Sequence, residues 1–206
     1  RDASHIPSKI RKAIRIALTP PMGPVYLDIP LNVQNQRSDF EIPELGEITQ
    51  YPSFMQMNIN NSIIDSIKNS DNPTIFVGDA VKFEDNSTID SIVRFSQKVG
   101  AKVYGETLCS RSVYPYSEDN WIGSLTANED PTEIDSDLNI HIGCVTNNSI
   151  VKDNKKTAPE TIIVSNDKNA PNNQIRCDHS IIGHIGSIVS EISDHLDDYC
   201  DDHRFK

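Results

Sequence analysis

From residue 58 onward, short apolar runs alternate with apolar stripes at helical spacing, and few folds accept that alternation. Thr74-Ile75-Phe76-Val77, Lys102-Val103-Tyr104, Leu138-Asn139-Ile140-His141-Ile142 and Thr161-Ile162-Ile163-Val164 read as strands. Runs this short and this apolar suit strands covered on both faces. Ile59, Ile63, Ile64 and Ile67 form one helix stripe. Ile89, Ile92, Val93 and Val99 form a second, with Asp85 or Asn86 as its cap. Gln174-Ile175-Arg176-Cys177 reads as a last short strand, and residues 106–131 read as mostly irregular. A final helix carries Ile182, Ile185, Val189, Ile192 and Leu196, with Asp178 or Ser180 as cap. The alternation predicts an α/β fold: a Rossmann-like parallel sheet of about five to six strands, with helices on both faces and right-handed crossovers.

Sheets of this kind bind ligands beyond the carboxyl ends of their strands. Gly78, Gly105, Gly143 and the Ser165-Asn166-Asp167 turn stand there. Gly78, Gly143 and Asp167 are therefore the candidate cofactor-binding residues, against the alternative that the glycines only end strands. Neither G-x-G-x-x-G nor G-x-x-x-x-G-K-[ST] occurs, and no G-x-S-x-G marks a nucleophile elbow. Gly183 and Gly186 lie in the last helix pattern and read as packing residues. His141, inside an apolar strand, reads as a core histidine. His179 and His184, five apart, do not share a helix face well enough to pair on a metal.

Cys109, Cys144, Cys177 and Cys200 show no C-x-x-C and no zinc-type Cys/His pairing. No metal site is expected, and reduced thiols of a cytoplasmic protein are the expectation. The net charge of −11 repels phosphate backbones and anionic lipid, so neither nucleic acid nor membrane is an expected partner. No apolar run approaches the about 20 residues of a membrane span.

The first 30 residues differ from the rest of the chain. Pro7 opens a helix whose Ile10, Ile14 and Ala17 share a face, with Lys9, Arg11, Lys12 and Arg15 mostly opposite. The basic side is expected to be the solvated face of a core-facing helix. Then comes G-P-V-Y-L-D-I-P, residues 23–30: Val25, Leu27 and Ile29 alternate with Tyr26 and Asp28, and Pro30 ends the run. It reads as a strand. One helix and one strand fall below the roughly 40 residues that a self-standing core needs. The expected division is a C-terminal remnant of another domain in 1–30, a linker in 31–57, a central α/β domain in 58–197 and a charged tail in 198–206.

The run A-I-R-I-A-L-T-P-P-M-G-P-V-Y-L-D-I-P resembles the end of the pyrimidine-binding domain of thiamine-diphosphate-dependent enzymes. N-P-T-I-F-V-G-D-A, V-G-A-K-V-Y-G-E-T, R-S-V-Y-P-Y-S-E-D-N-W-I-G, D-L-N-I-H-I-G and T-I-I-V-S-N-D resemble that family's central domain, in order. The resemblance is to the benzoylformate decarboxylase and acetolactate synthase branches. It implies that the activating glutamate lies upstream of Arg1, and that the G-D-G…N-N motif for magnesium and diphosphate lies downstream of Lys206. Gly78-Asp79-Ala80 lacks the third glycine of that motif and is not assigned to it.

The resemblance also implies a site residue. Arg111 and Pro115 match a stretch in which the decarboxylase branch places an active-site histidine, and here that position is Glu118, followed by Asp119. Glu118 is the catalytic candidate, able to move a proton as a carboxylate does. The FAD-binding branch carries arginines in the loop after the third of these strands. C-V-T-N-N-S-I-V has none, so FAD is disfavoured. The expectation is a non-catalytic fragment of a 2-oxoacid decarboxylase or carboligase. Thiamine diphosphate and Mg2+ would serve the parent, whose other domains are the partners, in a homo-oligomer. The alternatives are an isolated FAD- or ADP-binding module and a purely structural α/β module.

Overall fold

The computed structural model describes residues 3–19, 22–37, 39, 59–107, 109, 113–126, 134–144, 159–168, 170 and 177–197. The chain divides into two compact units, Arg1–Pro52 and Ser53–Lys206, with the boundary inside the expected linker.

In the first unit, a 3-10 turn at Ala3–His5 leads into α1, Ile6–Ala17, with proline in the first turn as expected. Its apolar stripe is not covered. Ile10, Ile14 and Ile16 are exposed, and no residue of α1 is buried. Residues 22–30 form no strand, and Tyr26 is 89% exposed. The alternation of G-P-V-Y-L-D-I-P suits a strand, but a strand exists only through a ladder, and no described neighbour supplies one. A short helix, α2 (Leu31–Gln34), comes next in what was expected to be irregular chain. Val33 N–H and Gln34 N–H close onto the Pro30 carbonyl, and Ala3 N–H donates to Gln36 Oε1 at 2.9 Å.

The second unit is built on a six-stranded, all-parallel sheet in the order β3-β2-β1-β4-β5-β6. Its strands are β1 (Pro73–Val77), β2 (Lys102–Gly105), β3 (Trp121–Ser124), β4 (Leu138–Ile142), β5 (Glu160–Ser165) and β6 (His179–Ile182). The expected strands at 74–77, 102–104, 138–142 and 161–164 are present. Two expectations change. The region 106–131 contains β3, an edge strand whose residues alternate between half-buried and exposed. The last strand among the described residues is β6; of the expected segment at 174–177, Cys177 lies outside any strand and residues 174–176 lie outside the described set.

Helices α3 (Asn61–Asn69), α4 (Asn86–Val99) and α5 (Ile185–Asp194) carry most of the expected stripes, with Ile59, Ile182 and Leu196 outside them. Asn60 caps α3 through Ser62 N–H, and Asp85 caps α4 through Thr88 N–H. Gly100 ends α4 at φ 64°, a left-handed cap that glycine reaches without steric cost. The cap of α5 is His184, replacing the expected Asp178 or Ser180, because Ile182 belongs to β6 and the helix starts later.

One core joins Ile63, Ile64 and Ile67 of α3, Ile92, Phe95 and Val99 of α4, and Ile185, Ile188, Val189 and Ile192 of α5. They meet the Ile75, Val77, Val103, Ile140, Ile142, Ile162 and Val164 side of the sheet. Each such aliphatic side chain contributes about 1.5–3 kcal/mol on burial. The opposite side presents Tyr104, Phe76, His141 and Ile163 in one cross-strand row. Helices expected over that side would fall in connections that lie largely outside the described residues.

Candidate functional site

The carboxyl edge of the sheet is held by amides one residue past β1, β2, β4 and β6. Gly78 N–H donates to Ile142 O (2.9 Å), Glu106 N–H to Val77 O (2.9 Å), Gly143 N–H to Val164 O (2.8 Å) and Gly183 N–H to Ser165 O (2.9 Å). The strand order reverses direction between β1 and β4, so this crevice is the topological switch point.

Gly78 and Gly143 meet there, and both have packing reasons to be glycine. A Cβ at Gly78 would stand 2.4 Å from Cys144 Cα, 2.5 Å from Glu106 Oε2 and 2.5 Å from the Gly143 carbonyl. Gly143 has φ +65°, and its Cβ would stand 2.9 Å from Val81 Cγ1. Glu106 is buried beside them. Burial, reinforced by the Glu106 charge, pushes the Cys144 thiol well above its usual pKa. Burial also raises Cys109 and Cys177. These thiols are protonated and weakly nucleophilic at neutral pH. Asp167 lies after β5, its N–H bonded to Ser165 Oγ (3.0 Å) and its carbonyl to Ala170 N–H (3.0 Å).

Glu118 is elsewhere. It precedes β3 and so sits toward the amino edge, away from Gly78, Gly143 and Asp167. Its Oε2 accepts from Gln97 Nε2 at 2.6 Å, and its carbonyl accepts from Trp121 N–H. Around it Tyr114 stacks on Trp121 (5.5 Å), and Tyr114 hydrogen-bonds Ser96 and Asn120. Burial raises the Tyr114 pKa against those two hydrogen bonds. Arg111 and the C-V-T-N-N-S-I-V loop from Val145 on lie outside the described residues.

His141 stacks on Phe76 at 4.8 Å, and Phe76 stacks on Tyr104 at 5.9 Å. Some of the residue's surface stays accessible, yet it lies deep enough that burial lowers its pKa to about 4. It is a neutral ring of the sheet's second face at physiological pH. His179 bonds Glu160 Oε1 (3.0 Å), and His184 bonds Ser187, so the two histidines serve different neighbours.

Glu84 escaped the sequence reading. Its Oε1 accepts from Ile185 N–H (2.9 Å) and its Oε2 from Gly186 N–H (3.1 Å), at the start of α5. Nothing near Glu84 in sequence signals partners about a hundred residues later.

Residues 61–192 match the family model described as thiamine pyrophosphate enzyme, central domain. The chain is 26% identical to a probable acetolactate synthase large subunit of Methanocaldococcus jannaschii, over 93% of this chain and 34% of the relative. It is 24% identical to the acetolactate synthase large subunit of Haemophilus influenzae, over 80% and 30%. The thiamine diphosphate-dependent 4-hydroxybenzoylformate decarboxylase of Rhodococcus jostii RHA1 shares its fold, with a TM-score of 0.71 at 21% identity, covering 98% of this chain and 39% of that one. Benzoylformate decarboxylase from Polynucleobacter necessarius gives 0.68 at 18% identity, covering 93% and 36%. The chain thus spans about a third of the length of the curated relatives it matches. Among the described residues no group of three or more His, Cys, Asp or Glu is arranged to hold a metal ion. A matched family model over most of the chain and a six-stranded parallel sheet lead to one conclusion: the chain belongs to the thiamine pyrophosphate enzymes, and residues 61–192 are their central domain.

Proposed function

We propose that this chain supplies the central scaffold of a thiamine-diphosphate-dependent 2-oxoacid decarboxylase or carboligase whose cofactor is held by other domains of a longer protein. The observation that carries the reading is the central-domain match over residues 61–192, with the chain spanning about a third of its relatives. In this reading residues 1–30 close a preceding pyrimidine-binding domain, residues 31–57 link it to the scaffold, residues 58–197 are the scaffold and 198–206 a charged tail. The exposed Ile10, Ile14, Val25 and Leu27 support it, since a helix and an extended segment with uncovered apolar faces fit a domain edge. The intact enzyme is a homo-oligomer using thiamine diphosphate and Mg2+.

Glu118 takes the position of the family's histidine. Half-buried and toward the amino edge, it is the group of this chain that meets substrate in the assembled enzyme. In the alternative reading, an isolated nucleotide-binding module, Gly78, Gly143 and Asp167 mark the rim where FAD or ADP would be sought.

The test is the flanking reading frame and its product. A glutamate-bearing domain upstream, a G-D-G…N-N stretch downstream and CO2 release from a 2-oxoacid support the proposal. A reading frame without them sinks it. In the active full-length enzyme Glu118→Gln should lower kcat about 10²-fold or more, the usual contribution of a positioned acid or base. An unchanged kcat removes Glu118 from the chemistry.

A further inference from the structure

A helix that starts at the carboxyl edge of a parallel sheet presents free amides and a positive dipole end, the arrangement that holds nucleotide phosphates in doubly wound folds. In this chain the arrangement is already filled. The side chain of Glu84 is 6% exposed and reaches from the turn before α4 to the first turn of α5. One oxygen takes Ile185 N–H and the other Gly186 N–H, at 2.9 and 3.1 Å. Thr88 Oγ1 adds a hydrogen bond at 3.3 Å and Asn166 Nδ2 one at 3.5 Å. His184 Nε2 stands 3.5 Å from the same carboxylate. Three segments therefore converge on one buried anion: the start of α4, the loop after β5, and the turn from β6 into α5.

The packing around it is built for that reach. A Cβ on Gly186 would stand 2.5 Å from Thr88 Oγ1 and 3.2 Å from Thr88 Cα. Ser190 Oγ meets Ser91 Oγ at 3.0 Å. Small residues thus bring the first turns of α4 and α5 together, and the carboxylate beside α4 lands on the amides of α5.

We propose that Glu84 is the resident anion of the α5 N-terminus and closes this turn to the phosphates of a nucleotide. It is a specificity determinant against FAD, ADP and similar ligands at β6–α5, and a clamp between two helices. The inference stands on this chain's own geometry, so its failure leaves the scaffold reading intact, and the reverse holds too.

The experiment follows the backbone amides of Ile185 and Gly186 by NMR in the 206-residue chain. Inorganic phosphate and ADP are added against chloride at matched ionic strength. In the wild type neither amide responds. In Glu84→Ala both amides shift with phosphate, and the unfolding constant, measured in urea, rises about 10–100-fold. Glu84→Gln turns an amide NH2 toward one helix N–H and raises the constant at least about tenfold. If Glu84→Ala does not fold, the wild-type titration and Glu84→Gln decide. Wild-type amides that shift with phosphate or ADP overturn the proposal, and so does a Glu84→Gln chain as stable as the wild type.

Discussion

Protonating His141 should cost this fold more than protonating an ordinary histidine, and the pH range is set. Its pKa falls from 6.5 to about 4 because burial disfavours the charged ring. Its cross-strand neighbours, Phe76 and Ile163, carry no charge that could compensate. The folded state therefore takes up this proton later than the unfolded chain as pH falls. Stability from this group is full above about pH 6.5, declines between about 6.5 and 4, and is flat below. At about 1.36 kcal/mol per pKa unit, a fall from 6.5 to about 4 sets an upper bound of about 3.4 kcal/mol, of which about 2.5 kcal/mol is lost by pH 4.5. The assay is urea unfolding of wild type and His141→Phe at pH 7, 5.5 and 4.5. Phenylalanine extends the Phe76 stack and carries no proton, so the variant should gain on the wild type steadily as pH falls. Parallel pH curves for the two proteins, or an imidazole that titrates near 6.5 by NMR, refute the reasoning.

Asp137 titrates with the opposite sign. Burial acts to raise its pKa, but hydrogen bonds from Ser70 Oγ and the amides of Asp71 and Asn72 prevail and hold it below 3.8. Its contribution is present above the unfolded pKa and fades as pH drops through the folded one. Asp137→Asn should cost about 1 kcal/mol at pH 7, given its exposed position, and less at pH 3; urea midpoints at the two values check it. Gly78→Ala places a methyl against the backbone of Cys144 and Gly143. It should cost about 3 kcal/mol, read as a fall in thermal midpoint; an unchanged midpoint contradicts the packing account of that crevice.

The interior strands were legible because they are the most deeply covered. Ile75, Val77, Ile162 and Val164 stand in short apolar runs, and Ile140 in the alternating L-N-I-H-I, each stopping at glycine or at a Ser-Asn-Asp turn. The edge strands were not. Trp121-Ile122-Gly123-Ser124 touches the core only through Trp121, pairs through an irregular register at Val103 and Tyr104, and carries a glycine at φ 139°. His179 and Ser180 give β6 a polar start, so no apolar run marks it. Caps read well where they were local, as with Asp85, and failed at His184 because the helix start depended on where β6 ended. The G-P-V-Y-L-D-I-P run shows the converse: strand character is written in its alternation, yet pairing is a property of a neighbour. Glu84 and the Tyr104–Phe76–His141 row exist only through contacts between distant segments, so no local pattern marks them.

Under the proposed function this domain is scaffold and the thiamine cofactor is held elsewhere in a longer protein. Calorimetric titration with thiamine diphosphate and Mg2+ tests it, using the 206-residue chain and the product of the full reading frame side by side. The 206-residue chain should give no binding heat, and the full product saturable, Mg2+-dependent binding. Saturable binding of thiamine diphosphate to the 206-residue chain alone contradicts it.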